Sequence, residues 1–256
     1  MKIGAQLYTL RDFCKTPEAL DETLKRVADM GMTTVQLSGV CAYDPDWMAE
    51  RLRAYGLTAD ITHFAFDRIV GEPEETSAFH KKFNCRYIGL GIMPETYFKP
   101  YTMEKLDAFF DRLRPATRVF AENGQKFLYH NHHFEMAMLE GKSVLSHICD
   151  AFPANELGIT ADVFWMQHAG EDPVRWLYRL SGRVPCIHFK DMSHNANGDI
   201  IMVPNGEGIM YYDAILRACV DTGVELGYIE QDNCNGEDPF DCMRRSYEYF
   251  KSRGFH

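Results

Sequence analysis

Eight short apolar runs alternate with eight longer segments of helical spacing along this chain. The runs read KIGAQLYT, TTVQLSGV, TADITHFAF, RYIGLGIM, KFLYHNH, LGITADV, VPCIHFKD and ELGYIEQD. Strict alternation of strand and helix is typical of parallel strands joined by right-handed crossovers. Eight such units favour closure into an α/β (β/α)₈ TIM barrel over an open doubly wound sheet.

The segments between the runs carry helix signals. In PEALDETLKRVADMGM, Leu20, Leu24 and Val27 recur at steps of three and four, and Gly31 is predicted to end the helix. Pro115 is predicted to kink or break the helix over residues 102–124. No GxGxxG loop follows the first strand, so a dinucleotide-binding fold fits poorly. At 256 residues the chain has the length of one barrel, and we predict a single domain over residues 1–256.

Composition narrows the class of partner. A net charge of −10 argues against a nucleic-acid partner. The eight cysteines form no CxxC pair, which favours reduced thiols. The start MKIGAQLYTLRD lacks the features of a signal peptide, and no run reaches the roughly 20 apolar residues that a membrane span needs. We therefore expect a soluble cytoplasmic protein without a membrane partner; a homo-oligomer is compatible with the sequence.

Four polar residues stand at or just beyond the ends of predicted strands: Glu135, Asp162, His188 and Glu230. Their spacing is close to one strand–loop–helix repeat or somewhat longer, so the four side chains are expected to converge at one end of the barrel. Three carboxylates and an imidazole suit a divalent cation such as Mn²⁺, Mg²⁺, Co²⁺ or Zn²⁺. The pattern indicates a metal enzyme with one divalent ion, and Mn²⁺ is the expected one.

Strand parity leaves the first ligand open. His130 and His132 share one face of the fifth strand, whereas Glu135 has the opposite parity and reaches the others only if the chain turns. Either Glu135 bends back as the first ligand or His130 takes that position. Imidazoles with an ordinary pKa of roughly 6.5 suit proton transfer near neutral pH, so both histidines are candidate catalytic residues.

Other residues at strand ends are candidates for substrate contacts. Lys190 follows His188 by two positions on the same face, where its ammonium would stabilise an enolate or alkoxide oxygen; the alternative is a structural salt bridge to Asp162 or Glu230. Substrate hydroxyls are the expected partners of Gln6, Tyr8 and His63. The aromatic residues near these ends are expected mainly to pack, with a few forming an apolar wall for a sugar; they are Tyr8, Phe64, Phe66, Phe134, Phe164 and Trp165.

Several motifs resemble one known family. KIGAQLYTLRD, YHNHHFE, ITADVFW, IHFKD, VPNGEGIMYYDAIL and YIEQDNCNGEDPFDCMRRSYEYF together are similar to the sugar phosphate isomerase/epimerase group of xylose-isomerase-like barrels. The resemblance implies a divalent metal held by Glu135, Asp162, His188 and Glu230, and a ketose, inositol-like ketone or 3-keto sugar as substrate. Gln36 stands where many relatives carry Glu, which weakens any role of the second strand as a base.

These residues suggest proton abstraction next to a carbonyl. Glu135 or Glu230 would act as ligand and base, and His130 or His132 as proton shuttle. Isomerisation or epimerisation of a ketose or keto sugar is the predicted reaction. The alternative is a dehydratase or lyase that acts on a keto-inositol or a 3-keto-glycoside by β-elimination. A non-catalytic sugar-binding barrel and an endonuclease-like phosphodiesterase are less favoured.

Overall fold

Eight parallel strands close into a barrel in the computed structural model, which describes residues 1–256. Neighbours around the barrel follow the order of the chain, and the last strand pairs with the first. The strands are β1 (Lys2–Gln6), β2 (Thr34–Leu37), β3 (Thr58–His63), β4 (Tyr87–Leu90), β5 (Lys126–His130), β6 (Leu157–Asp162), β7 (Cys186–Phe189) and β8 (Leu226–Ile229). In this order β7 lies across the barrel from β3, and β8 lies across from β4.

Ten α-helices connect and cover these strands. They are α1 (Pro17–Asp29), α2 (Pro45–Tyr55), α3 (Phe66–Gly71), α4 (Pro73–Lys81), α5 (Met103–Glu122), α6 (Val144–Ala151), α7 (Val163–His168), α8 (Pro173–Arg179), α9 (Tyr212–Thr222) and α10 (Pro239–Ser252). Three of them begin with an Asp–Pro pair, in which the carboxylate accepts a backbone N–H and the proline supplies a helical φ angle: Asp44 in α2, Asp172 in α8 and Asp238 in α10.

Two apolar cores stabilise the barrel. The larger lies between the barrel and the helices. The smaller lies inside the barrel and is made by Ile61, Tyr87, Leu128, Cys186, Leu226 and Tyr228. Glycine lets neighbouring strands approach closely, because a Cβ atom at Gly4 would lie 2.2 Å from the carbonyl oxygen of Thr34. The packed interior leaves only the ends of the strands for a functional site.

The barrel and the alternation of strand and helix confirm the predicted fold class. Two details differ. Helix α5 is continuous through Pro115, so the predicted break is absent. The third predicted run extends to Phe66, but the strand ends at His63 and Phe66 begins α3.

Elements that the alternation did not predict include α3, α7 and two short antiparallel hairpins, one of residues 138–143 and one of residues 191–203. All eight cysteines are free thiols. None of the helices has the length and apolar character required to cross a membrane.

Candidate active site

Four buried side chains from four successive strands meet at the carboxyl end of the barrel. His130 ends β5, Asp162 ends β6, His188 lies within β7, and Glu230 directly follows β8. One donor atom from each lies within 4.8 Å of the others. The in-register pairing of β6 with β7 places Asp162 beside His188. Because parallel strands present their ends at the same edge, residues far apart in sequence form one compact donor set.

The two histidines in this group are oriented by hydrogen bonds on their outer nitrogens. His130 Nδ1 donates to the carbonyl oxygen of Gly91 over 2.9 Å, and His188 Nε2 donates to Gln36 Oε1 over 2.7 Å. The remaining nitrogens, His130 Nε2 and His188 Nδ1, face each other at 3.1 Å. Metal-binding histidines are held in this way, with one nitrogen fixed by a carbonyl and the other free to ligate.

The carboxylates complete the donor set. Asp162 Oδ2 lies 3.2 Å from His130 Nε2, and Glu230 Oε2 lies 2.8 Å from His188 Nδ1. Glu230 Oε2 is buried and makes no well-oriented hydrogen bond despite these close neighbours. Two imidazole nitrogens and two carboxylate oxygens that converge in a buried place have the chemistry of a divalent-cation site.

A buried ammonium group adjoins the donor set. Lys190 Nζ lies 3.1 Å from Asp162 Oδ2, 3.0 Å from Glu230 Oε2 and 2.9 Å from Asp232 Oδ2. Burial alone would raise the pKa of Asp162, but the charge of Lys190 and the contact with His130 outweigh it and lower that pKa to about 2. The same ammonium holds the pKa of Glu230 well below its ordinary value despite burial. Both carboxylates are therefore ionised and able to ligate a cation.

Glu135 does not join the donor set. Tyr129 Oη donates to its Oε1 over 2.5 Å, and its Oε2 accepts the backbone N–H of His132 over 2.8 Å. The side chain is fully buried, and burial raises its pKa to about 7. The turn after β5 thus directs Glu135 back toward the strand, so its expected roles as ligand and base do not fit this geometry. His130, the alternative that strand parity left open, occupies the position instead.

A cavity of about 700 Å³ opens above the donor set. Of the residues predicted to contact substrate, Tyr8, His63 and Trp165 line it, as do His132 and Lys190. Gln6 does not line it; the side chain is buried and its Oε1 accepts the backbone N–H of Tyr8.

Three buried polar atoms of the cavity wall have no hydrogen-bond partner: His63 Nε2, His132 Nδ1 and Trp165 Nε1. Such atoms are costly to bury and are satisfied when a polar ligand binds. Burial and the neighbouring His130 hold the pKa of His132 far below its ordinary value, so its ring is neutral at neutral pH. The cavity therefore offers both hydrogen-bonding groups and a neutral imidazole to a ligand.

Three residues that shape the site were not assigned a role from the sequence. Asp232 lines the cavity and pairs with Lys190. Its position two residues after Glu230 was an available signal, since alternate residues of a strand share a face. Gln36 orients His188, and Ser38 Oγ lies 3.1 Å from His63 Nδ1. These two contacts join different strands, so no local pattern in the sequence reveals them.

Comparison with known proteins agrees with this architecture. The family model for the xylose isomerase-like TIM barrel matches residues 16–230. An inosose dehydratase from Geobacillus kaustophilus (strain HTA426) is 22% identical over 217 residues, which cover 77% of this chain and 68% of that protein.

Two solved structures share the fold at low sequence identity. A sugar phosphate isomerase/epimerase from Parabacteroides distasonis ATCC 8503 has a TM-score of 0.81 at 17% identity, covering 98% of this chain and 93% of that one. A probable 3-DHS dehydratase from Bacillus anthracis has a TM-score of 0.75 at 17% identity, covering 99% of this chain and 100% of that one. With the family model matching most of its length, the chain belongs to the xylose isomerase-like TIM barrel family, as its motifs predicted.

Proposed function

We propose that this protein is a divalent-metal-dependent sugar isomerase or epimerase that removes a proton next to the carbonyl of a ketose or keto sugar. The observation that carries the proposal is the convergence of His130, Asp162, His188 and Glu230 on one point at the floor of a cavity. His130 replaces Glu135 in the ligand set expected from the family resemblance. Mn²⁺ is the ion that we expect, since it suits the carboxylate donors, and Zn²⁺, which suits the imidazoles, is the alternative.

A divalent ion held there supplies Lewis-acid stabilisation of negative charge on the substrate's oxygens. The protein supplies the proton acceptor and the hydrogen bonds. His132 is the acceptor in this proposal, because its ring lines the cavity, has no hydrogen-bond partner at Nδ1 and lies 4.6 Å from the His130 ring between centroids. Lys190 donates a hydrogen bond to the oxygen that gains charge. Its three carboxylate neighbours keep it protonated, since they outweigh burial and raise its pKa.

The remaining wall groups orient the substrate. His63 Nε2 and Trp165 Nε1 have no partners within the protein and are placed to bond hydroxyl groups. His63 and His132 both adjoin His130, with ring centroids 5.2 Å and 4.6 Å from that ring, and we propose that the substrate lies between them. Two imidazoles on different sides of a bound carbon suit epimerisation, in which a proton leaves one face and returns to the other.

Elimination is the second candidate, because it begins with the same proton removal. A dehydratase or lyase acting on a keto-inositol or a 3-keto-glycoside would expel a β-hydroxyl or glycosidic oxygen after the proton has left. The cavity of about 700 Å³ has room for a leaving group beyond one sugar ring. The similarity to an inosose dehydratase also favours this alternative.

Deuterium exchange tests the proposal directly. Protein loaded with Mn²⁺ is incubated in D₂O with a 2-ketohexose, a keto-inositol or a 3-keto-glycoside, and deuterium at the carbon next to the carbonyl is measured by NMR. We expect deuterium exchange in the wild type. In His132→Ala the exchange rate should fall by about a hundredfold or more, with metal content retained. His133→Ala is the matched control, because this neighbouring histidine is exposed and does not line the cavity.

The products of the same incubation separate the two candidates. A new sugar isomer or epimer with deuterium incorporated supports the first candidate, and a conjugated enone that absorbs in the ultraviolet supports elimination. Exchange at the wild-type rate in His132→Ala would exclude this residue as the acceptor. Absence of both exchange and bound metal in the wild type would refute the proposed function.

A further inference from the structure

The cavity is divided into a charged side and an apolar side. Its charged residues, Lys190, Glu230 and Asp232, follow β7 and β8. Beyond His63, the end of β4 and the segments that follow β3 and β4 contribute apolar residues to the lining. We call five of these the apolar wall: Phe64, Phe66, Leu90, Ile92 and Pro94. Since β3 and β4 lie across the barrel from β7 and β8, a ligand that spans the cavity meets polar groups at one end and the apolar wall at the other.

The apolar wall is preformed by packing behind it. The Phe66 ring stacks on Phe109 with centroids 5.4 Å apart and planes 20° from parallel. The Phe64 ring lies edge-on to His80 at 4.9 Å. In contrast, Ile92 has no such cover and is 50% exposed at the cavity. Phe66 and Leu90 are buried, so the exposed apolar surface of the wall belongs mainly to Ile92, with smaller parts from Phe64 and Pro94. This surface gains free energy when an apolar group covers it.

The cavity lining offers no second lysine or arginine to an anionic substituent. Lys190 is the single lysine or arginine that lines it, and three carboxylates already surround that ammonium within 3.1 Å. Arg68 and Arg112 lie near the apolar wall but contact its rings, with guanidinium carbons 4.9 Å from the Phe64 centroid and 5.4 Å from the Phe66 centroid. With a divalent ion bound, three carboxylates, one ammonium and the ion carry no net charge. A phosphate or carboxylate at the apolar side would therefore have no lysine or arginine of the lining beside it.

We propose that the substrate is an uncharged sugar derivative with an apolar substituent, an aryl or alkyl group in the position of a glycoside's aglycone, which packs against the apolar wall. The inference rests on the proposed function for the orientation of the sugar, whose polar groups bind at the charged side. It assigns specificity to the loops after β3 and β4, and it excludes sugar phosphates as preferred ligands.

Calorimetric titration of the Mn²⁺-loaded protein tests this assignment. The probes are methyl β-glucoside, phenyl β-glucoside, glucose and glucose 6-phosphate, none of which needs to react. We expect the phenyl glycoside to bind at least about tenfold more tightly than the methyl glycoside, because its ring removes apolar surface from water. Glucose 6-phosphate should bind no more tightly than glucose.

Two variants locate the effect. Ile92→Ser should reduce the preference for phenyl over methyl by about fivefold or more, since it removes exposed apolar surface from the wall. Ile209→Ser is the matched control, because Ile209 is 54% exposed and does not line the cavity. It should leave the preference unchanged.

Three results would overturn the inference: equal affinity for the two glycosides, tighter binding of the phosphate than of glucose, or an equal loss of preference in both isoleucine variants. The test is independent of catalysis, because these glycosides carry no ketone and the titration reports binding alone. If the protein prefers the phenyl glycoside but catalyses no proton exchange, the proposed reaction is refuted and the proposed apolar subsite is retained. Proton exchange without phenyl preference would leave the reaction and remove the subsite.

Discussion

At the scale of single residues, the structure brings together three of the four side chains that the sequence predicted as metal ligands, and His130, the alternative left open by strand parity, takes the place of Glu135. Asp162, His188 and Glu230 stand at strand ends, where the alternation of strand and helix alone brings them together. The choice between His130 and Glu135 depended on the turn after β5, where Tyr129 bonds the Glu135 carboxylate. That contact is formed by the path of the turn, which strand periodicity does not describe.

Glu135 should make the stability of the protein depend on pH. Burial raises its pKa in the folded state to about 7, above the ordinary value of 4.5. The contribution of Glu135 to stability is therefore fully present below about pH 4.5 and is lost as the pH rises through about 7. A shift of this size corresponds to at most about 3 kcal/mol in the free energy of unfolding.

The variant Glu135→Gln removes this titration and keeps a hydrogen-bonding amide in place. We expect the difference in unfolding free energy between wild type and variant to change by up to about 3 kcal/mol between pH 4.5 and 8, with the wild type losing stability relative to the variant. Denaturant unfolding at several pH values measures it. Glu122→Gln, at an exposed position, should give a profile parallel to the wild type; a parallel profile for Glu135→Gln would contradict the prediction.

At the scale of elements, apolar periodicity and helix-end residues predicted the eight strand–helix pairs, because each pair is marked by its own short stretch of sequence. The short hairpins and α7 carry only a few residues each, too few for a period to be visible. Pro115 misled the prediction for a physical reason: a helix packed along its apolar face tolerates one missing N–H, and the buried residues of α5 lie on both sides of the proline.

The loop over residues 204–210 should depend on one carboxylate. Asp191 accepts the backbone N–H groups of Met192, Gly206, Gly208 and Met210. Asp191→Asn replaces one acceptor oxygen with a donor, which leaves buried amides unpaired at a cost of about 2–4 kcal/mol. We expect a lower unfolding midpoint and faster hydrogen exchange at residues 206–210. Asp199→Asn, in an exposed part of the neighbouring hairpin, should change neither by a comparable amount.

At the scale of the whole molecule, occupation of the donor set should stabilise the barrel, because the four donors come from four different strands. An ion at a hundred times its dissociation constant adds about 2.7 kcal/mol, which corresponds to a rise in Tm of about 5–10 °C for a chain of this size. Differential scanning calorimetry with and without Mn²⁺ measures the rise. Glu230→Gln should abolish it, whereas Glu122→Gln should retain it; an equal rise in both variants would place the ion elsewhere.

The two sides of the cavity are encoded in different halves of the gene, so mutations that change the apolar wall are separate from mutations that change the donor set. The apolar wall is encoded before residue 95, and every donor of the buried set is encoded after residue 126. Two residues of the first half nevertheless orient donors: Gln36 fixes His188 through its side chain, and Gly91 fixes His130 through its backbone carbonyl. With the proposed apolar subsite, mutation in the first half of the gene would alter which molecule is accepted without changing any residue of the donor set. Recombination between relatives near the middle of the chain would exchange the apolar wall and conserve the donor set. The exchanged first half would still have to carry glutamine at position 36, because this side chain orients His188.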